Sequence, residues 1–228
     1  MGVLPSLRQE TDLILMQPLT DQAVPSDFRY AVYLIPPYEV AQRVADVHSM
    51  LEKQFGFTAA SKFQVHATLK GFFKCSDCPP NAVIEALETV FFSQDPLPIH
   101  FNGFHIDDVG VGLDISRIDN QPNEELMELR KRIVDAVIPF IASDCDFVEN
   151  DLGSPYKAHI TLAFRDIPPE IRESVLAYLK PAPLPSEPFE ANTFHLLEFY
   201  SRDWKGSWDK TLSWRLLHSW QLDRHRVS

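Results

Sequence analysis

Two four-residue stretches carry the chemistry that the sequence offers most clearly, His66-Ala67-Thr68-Leu69 and His159-Ile160-Thr161-Leu162. In an extended strand alternate side chains share a face. His66 and Thr68 then point one way, with Gln64 and Lys70 in line, and His159 and Thr161 do the same with Lys157. The opposite faces (Val65, Ala67, Leu69 and Ala158, Ile160, Leu162) are apolar and suit a core. Each strand thus presents a row of imidazole, hydroxyl and ammonium. Two imidazoles across a cleft suit cleavage of a phosphodiester. A neutral ring takes the proton from the attacking oxygen, and a protonated ring returns one to the departing oxygen. An ordinary histidine pKa of about 6.5 keeps both states accessible near neutrality. The hydroxyls and ammonium groups hold the non-bridging phosphate oxygens, where charge resides in the transition state. This chemistry requires no metal and no cofactor.

A single His-x-Thr-aliphatic match arises by chance in about 7% of chains of this length and average composition. The alternative for each histidine is a half-buried ring bonded to a backbone carbonyl, and the matched pair argues against it. Tyr156, just before the second motif, reads equally as a wall of a nucleotide pocket or a core aromatic. Lys70 and Lys157 have the parity of the cleft but belong to a residue type that is usually a solvated surface charge. Arg165 continues the second strand on the parity of His159, which makes it a candidate phosphate ligand. Phe72 and Phe73 read as core. His105 and His195 lack the repeated context and read as ordinary strand residues, and the tryptophans near the C-terminus read as packing, with Trp204 or Trp208 able to gate a cleft if exposed. Cys75-x-x-Cys78 lacks the second ligand pair of a zinc site and carries no chemistry by itself. The sequence holds no phosphate-cradling glycine loop, no Gly-x-Ser-x-Gly elbow and no His-Glu-x-x-His, which weighs against nucleoside triphosphatases, serine hydrolases and zinc proteases.

The elements that must position these residues follow from periodicity and punctuation. Tyr30 to Ile35 is aromatic and β-branched and stops at Pro36-Pro37, a strand with an abrupt end. Val40, Val44, Val47, Leu51 and Phe55 form a helical stripe that ends at Gly56. A strand is expected over about Gln64 to Phe73, a Pro-started helix after Pro79-Pro80, and two adjacent strands turning near Asp107-Asp108. A third helix follows Pro122, with acids early and bases later, as the helix dipole prefers. After a turn-rich stretch, Glu149 to Pro155, come the second motif strand, a helix opened by Pro168-Pro169, and a terminal hairpin from Asn192 to Trp220. The two halves repeat one order: helix, His-x-Thr-Leu strand, Pro-started helix, two strands. The fold expected is α+β, bilobal and duplicated about a pseudo-twofold axis, with two antiparallel sheets facing a central cleft and helices outside.

Composition bounds the partners. Of 228 residues, 45% are hydrophobic, with 16 phenylalanines to fill a core. The net charge of −11 repels polyanions and counts against a protein that coats long duplex nucleic acid, while leaving room for a small phosphate in a locally basic cleft. Three cysteines do not imply a disulfide framework. No apolar run has the length of a membrane span, and the start has no signal-peptide pattern. A monomer in the cytoplasm, without membrane partners, is expected.

The two motifs resemble the signature of the two-histidine phosphoesterase superfamily, which includes RNA 2′,5′-ligase-like proteins and cyclic nucleotide phosphodiesterases. The resemblance extends to Phe28–Pro37, to the aromatic Tyr156 ahead of the second motif, and to the segment His195–Asp203, covering about Phe28 to Leu217. It implies His66 and His159 as the acid/base pair, with Thr68 and Thr161 as phosphate ligands. By analogy with members that open cyclic phosphates, His66 is the acid and His159 the base, an order that reverses with the direction of the substrate. The activity implied is opening of a ribose 2′,3′-cyclic phosphate or a related 2′,5′ diester, on a small nucleotide or an RNA end. A non-catalytic nucleotide or RNA-end binding module and a metal hydrolase using the histidines as ligands are the alternatives. The division expected is an extension over 1–27, one domain over 28–220 and a tail over 221–228.

Overall fold

Extended segments rich in Val, Leu, Phe and Tyr build the scaffold. The computed structural model describes residues 27–75, 79–147 and 156–223. Residues 1–26 of the expected extension, Cys78, the turn-rich stretch before Tyr156 and residues 224–228 of the tail lie outside them. In chain order the elements are β1 (Phe28–Ile35), α1 (Tyr38–Phe55), β2 (Ala67–Phe73), α2 (Pro80–Phe91), β3 (Leu97–Ile99), β4 (Phe104–Ile106), β5 (Gly110–Asp114), β6 (Arg117–Ile118), β7 (Gln121–Pro122), α3 (Glu124–Val137), β8 (His159–Phe164), α4 (Arg172–Leu179), β9 (Phe189–Ala191), β10 (Thr193–Tyr200) and β11 (Ser213–Gln221). The local signals act as chemistry requires. Gly56 ends α1 in the left-handed region at φ 78°, Pro80 opens α2, and the Asn123 side chain caps α3 by accepting from the Leu126 N–H.

The fold is α+β and antiparallel. Strands run in the order β11-β10-β1-β2-β8-β5-β4, so the two motif strands β2 and β8 are neighbours at the centre. The expected two sheets are therefore two halves of one sheet. Every other neighbouring pair in it shares three or more residue pairs, but β2 and β8 share only Ala67↔Ile160. The halves also differ in size, four strands against three.

All four helices of the described residues feed one apolar core on one face of this sheet. Val44 and Leu51 of α1, Leu87 of α2, Ile133 of α3 and Val175 of α4 pack with Val32, Leu34, Leu69, Ile160 and Leu162 of the strands. α1 lies against β8 and α3 against β2, so each helix covers the motif strand of the other half. The opposite face carries a second cluster built around Tyr33, Phe199, Trp204 and Trp208. That face holds the cleft. The small β3–β9 pair, which the sequence reading lacked, ties the segment after α2 to the strand before the final hairpin.

Candidate active site

The pairing of Ala67 with Ile160 sets the geometry of the centre. Continued by one residue each way, the antiparallel register puts His66 level with Thr161 and Thr68 level with His159. The four side chains line a single cleft of about 780 Å³ on the face away from the helices.

The two histidines are held alike. The ring of His66 bonds through Nδ1 to the Gln64 carbonyl, two residues back, at 2.7 Å, and His159 bonds through Nδ1 to the Lys157 carbonyl at 2.9 Å. A carbonyl only accepts, so Nδ1 is the protonated nitrogen in each neutral ring and Nε2 is left as the base. Both threonine carbonyls are tied from a distance. Tyr156 donates its hydroxyl to the Thr68 carbonyl at 2.8 Å, and His48, buried on α1, bonds through Nε2 to the Thr161 carbonyl at 2.9 Å. These bonds fix the backbone under the motifs across the join between the half-sheets.

Each catalytic candidate also rests on an aromatic ring. Tyr33 of β1 stacks on His66 with centroids 3.6 Å apart, and His105 of β4 stacks on His159 at 4.3 Å. Burial pushes the His66 pKa down to about 4, with the nearby His159 and His48 adding to the effect against the Gln64 bond. His159 is lowered chiefly by burial and further by His105, but the Lys157 carbonyl and the carboxylates of Asp107 and Asp114 act in the opposite direction. His48 and His195 are also lowered by burial. The hydrogen bond from His105 Nε2 at 3.1 Å holds Asp107 down to about 2, with help from the Val109 and Gly110 amides.

The remaining sequence candidates divide. Tyr156 lines the cleft, with the Arg130 guanidinium 4.4 Å from its ring centroid, and Lys157 is exposed at the rim. Lys70 does not reach the cleft. Thr68 pairs with Tyr33, but Lys70 pairs with Val32, so two residues of β2 oppose one of β1. This β-bulge at Leu69 reverses the alternation and turns Lys70 to the core side, 1% exposed, where its ammonium donates to the Gly71 carbonyl and lies over Phe73. The same irregularity occurs after the second motif, where Thr161 pairs with Gly112 and Ala163 with Val111. Ala163 accordingly joins the core. Arg165 still lines the cleft, but by another route: it leaves the strand in the left-handed conformation, φ 59°, and lies over Trp208 beside Asp209. Phe73 is core, whereas Phe72 lines the cleft. Trp204 and Trp208 are buried, which removes a gating role.

Sequence reasoning missed Tyr33, His48, His105 and Asp107. His48 lay on an apolar helical stripe with no pattern to mark it. His105 and Asp107 had a signal in Gly110-x-Gly112 on the adjacent strand, a pair of glycines where packing side chains are the rule. Among the described residues, His105, Asp107 and His159 are the one group with ligand atoms close enough, within 4.8 Å, to hold a metal ion. The two imidazoles are nearly parallel, 10° apart. Ring lone pairs lie in the ring planes, so those of parallel stacked rings do not converge on one ion in this arrangement.

A family model described as the 2′-5′ RNA ligase superfamily matches residues 30–203. No curated protein matches the chain. Among solved structures, E. coli LigT in apo form is similar with a TM-score of 0.51 and 16% identity, over 88% of this chain and 100% of LigT. LigT complexed with 3′-AMP gives 0.51 and 15%, over 87% and 99%. A protein of Thermus thermophilus gives 0.50 and 16%, over 86% and 100%.

Proposed function

The chain belongs to the 2′-5′ RNA ligase superfamily, and from that premise we propose that it is a metal-independent phosphodiesterase that opens a ribose 2′,3′-cyclic phosphate or a related 2′,5′ diester. The observation that carries the proposal is the matched anchoring of His66 and His159. Each is held through Nδ1 by the carbonyl two residues back, which leaves Nε2 to serve the cleft that both rings line. In the reaction, one neutral Nε2 takes a proton from water as the water oxygen bonds to phosphorus. The P–O3′ bond breaks, and the second ring, protonated, gives its proton to the departing oxygen. The product is a 2′-phosphomonoester, and the two rings have exchanged protonation states. Thr68 and Thr161 offer hydroxyls to the non-bridging oxygens, and Lys157, Arg165 and Arg130 supply positive charge at the cleft.

We infer the order of acid and base from the surroundings. His66, buried against a neutral phenol, favours the uncharged form and suits the base. His159 is also lowered by burial and by His105, but two carboxylates in reach of its charge act against that lowering, so of the two rings it suits the acid. This is the reverse of the order that family resemblance implies. The substrate is a small nucleotide or an RNA terminus, because the net charge of −11 disfavours a long duplex. The likeness to LigT, which has been crystallised with 3′-AMP, accords with a nucleotide-sized ligand.

The test is turnover of nucleoside 2′,3′-cyclic phosphates and of 2′,5′- and 3′,5′-linked dinucleotides in the presence of EDTA, with product position read by NMR. His66→Ala and His159→Ala should each abolish turnover in a protein that stays folded. Undiminished activity in either variant removes the acid/base assignment. Tight binding with no cleavage of any diester, at several pH values, converts the protein into a nucleotide or RNA-end binding module.

A further inference from the structure

His105 and His159 belong to strands that are not neighbours. β5 lies between β4 and β8, and its residue opposite both His105 and Thr161 is Gly112. A Cβ built on Gly112 would stand 3.1 Å from His159 Cδ2 and 2.8 Å from the Ile160 carbonyl oxygen. The missing side chain is therefore the gap across which one imidazole reaches the other, and the two rings stack over it with centroids 4.3 Å apart. His105 is in turn anchored. Its Nε2 bonds to Asp107 Oδ2 at 3.1 Å, and Asp107 Oδ1 accepts the Val109 and Gly110 amides at 2.9 Å each. Arg172 of α4 clamps the same turn by donating to the Asp107 and Asp108 carbonyls. A chain of rigid contacts thus runs from α4 through the turn and His105 to the face of His159.

We propose that His105, fixed by Asp107, is a positioning residue for His159: it is the platform that sets the plane of the catalytic imidazole, and it extends the phosphodiesterase reading above. In the other half the ring stacked on His66 is Tyr33, which comes from the adjacent strand at the register position equivalent to Gly112. A stacked ring restrains the tilt of its partner while leaving both ring nitrogens free for the Lys157 bond and the cleft. Direct hydrogen bonding could not do this without consuming Nε2. Among the described residues, the charged and titratable groups beside His159 on its own wall of the cleft are His105 from β4, Asp107 from the turn and Asp114 from β5, the last engaged with Ser116 and Arg117. His66 faces His159 from the other wall of the cleft, near enough that a charge on His159 acts against a proton on His66.

The test compares His105→Ala, His105→Phe and Asp107→Asn with the wild-type chain, each checked for a native circular dichroism spectrum. His105→Ala removes the platform and should lower kcat about tenfold or more with KM within about twofold, the pattern of a misplaced catalytic group. His105→Phe restores a flat ring and should recover most of that loss. An NMR titration of the His159 ring protons reads the same contact without any turnover. Its midpoint should fall in Asp107→Asn, where a favourable negative charge is gone, and its ring-current shifts should move in His105→Ala. Should no diester be turned over, the phosphodiesterase reading falls while the NMR arm still decides the contact. Unchanged His159 resonances and kcat in His105→Ala overturn the positioning role. Equal loss in His105→Phe and His105→Ala overturns the platform and makes the imidazole itself the active group.

Discussion

Protonating His66 must work against the fold, and the cost can be read as stability. Its pKa is lowered from about 6.5, the value expected of the unfolded chain, to about 4 in the folded protein. Between those values the unfolded chain binds a proton that the folded chain does not. Stability therefore rises with pH across the window and is lost as pH falls from 6.5 toward 4. Linkage over that shift gives a loss of about 2 kcal/mol between pH 7.5 and pH 5.0, and one ring edge open to the cleft trims the figure through solvent screening. The perturbation is His66→Phe, which keeps a ring against Tyr33 and removes the titration. Wild type and variant are unfolded with urea at both pH values, and the difference of differences isolates the group. The variant should lose about 1–2 kcal/mol less than wild type on acidification. His48, His159 and His195, which remain in both proteins, contribute a shared background. Equal losses, within about 0.5 kcal/mol, refute the claim that burial holds His66 neutral, and with it the ground for making His66 the base.

Two further predictions test the strand geometry. Lys70→Met should leave KM for a cyclic phosphate within about twofold, because the bulge at Leu69 turns this side chain away from the cleft, whereas Lys157→Ala at the rim should raise KM several-fold; steady-state kinetics with equal effects would restore simple alternation. Gly112→Ala should cost about 1–3 kcal/mol, the range for forcing atoms into a packed site, since its Cβ meets the Ile160 carbonyl oxygen at 2.8 Å, and a urea melt matching wild type would show that β5 has slack there.

The motif residues were legible because they repeat, and repetition at equivalent places needs no knowledge of packing. The helices were legible because Pro80, Asn123 and Gly56 act locally. The strand faces were legible only up to the leucine of each motif. Alternation assumes one residue against one, and bulges at Leu69 and Leu162 break it through the pairing partner, which no local pattern encodes. Lys70 was misplaced for this reason, and Arg165 was assigned to the cleft for the wrong one. His105, read as an ordinary strand residue, owes its place to a glycine on the neighbouring strand. Such neighbours across a sheet are tertiary facts, visible beforehand only as unexplained glycines. The join of the two half-sheets through a single pair belongs to the same class: spacing suggested two sheets, and only the register of Ala67 with Ile160 makes them one.

The shared features of the two motifs cannot assign acid and base, since whatever is equal on both sides distinguishes neither. Nδ1 anchoring, the following bulge and the tethered threonine carbonyl are all present twice. The distinction has to come from what differs, and that is the ring beneath each imidazole. Tyr33 is 3% exposed, and burial raises its phenol, so it stays uncharged and offers a proton on His66 no compensation. The ring beneath His159 is bonded to a carboxylate whose pKa is held at about 2, so that negative charge persists at every pH where the protein would work. A bound phosphate attracts protons to both rings; at His159 a charge on His105 opposes this, and the carboxylates of Asp107 and Asp114, which His66 lacks, support it. On the proposed reading this asymmetry favours His159 as the imidazole that enters the reaction charged, and replacing Asp107 by Asn should narrow the difference between the two rings while leaving every motif residue in place.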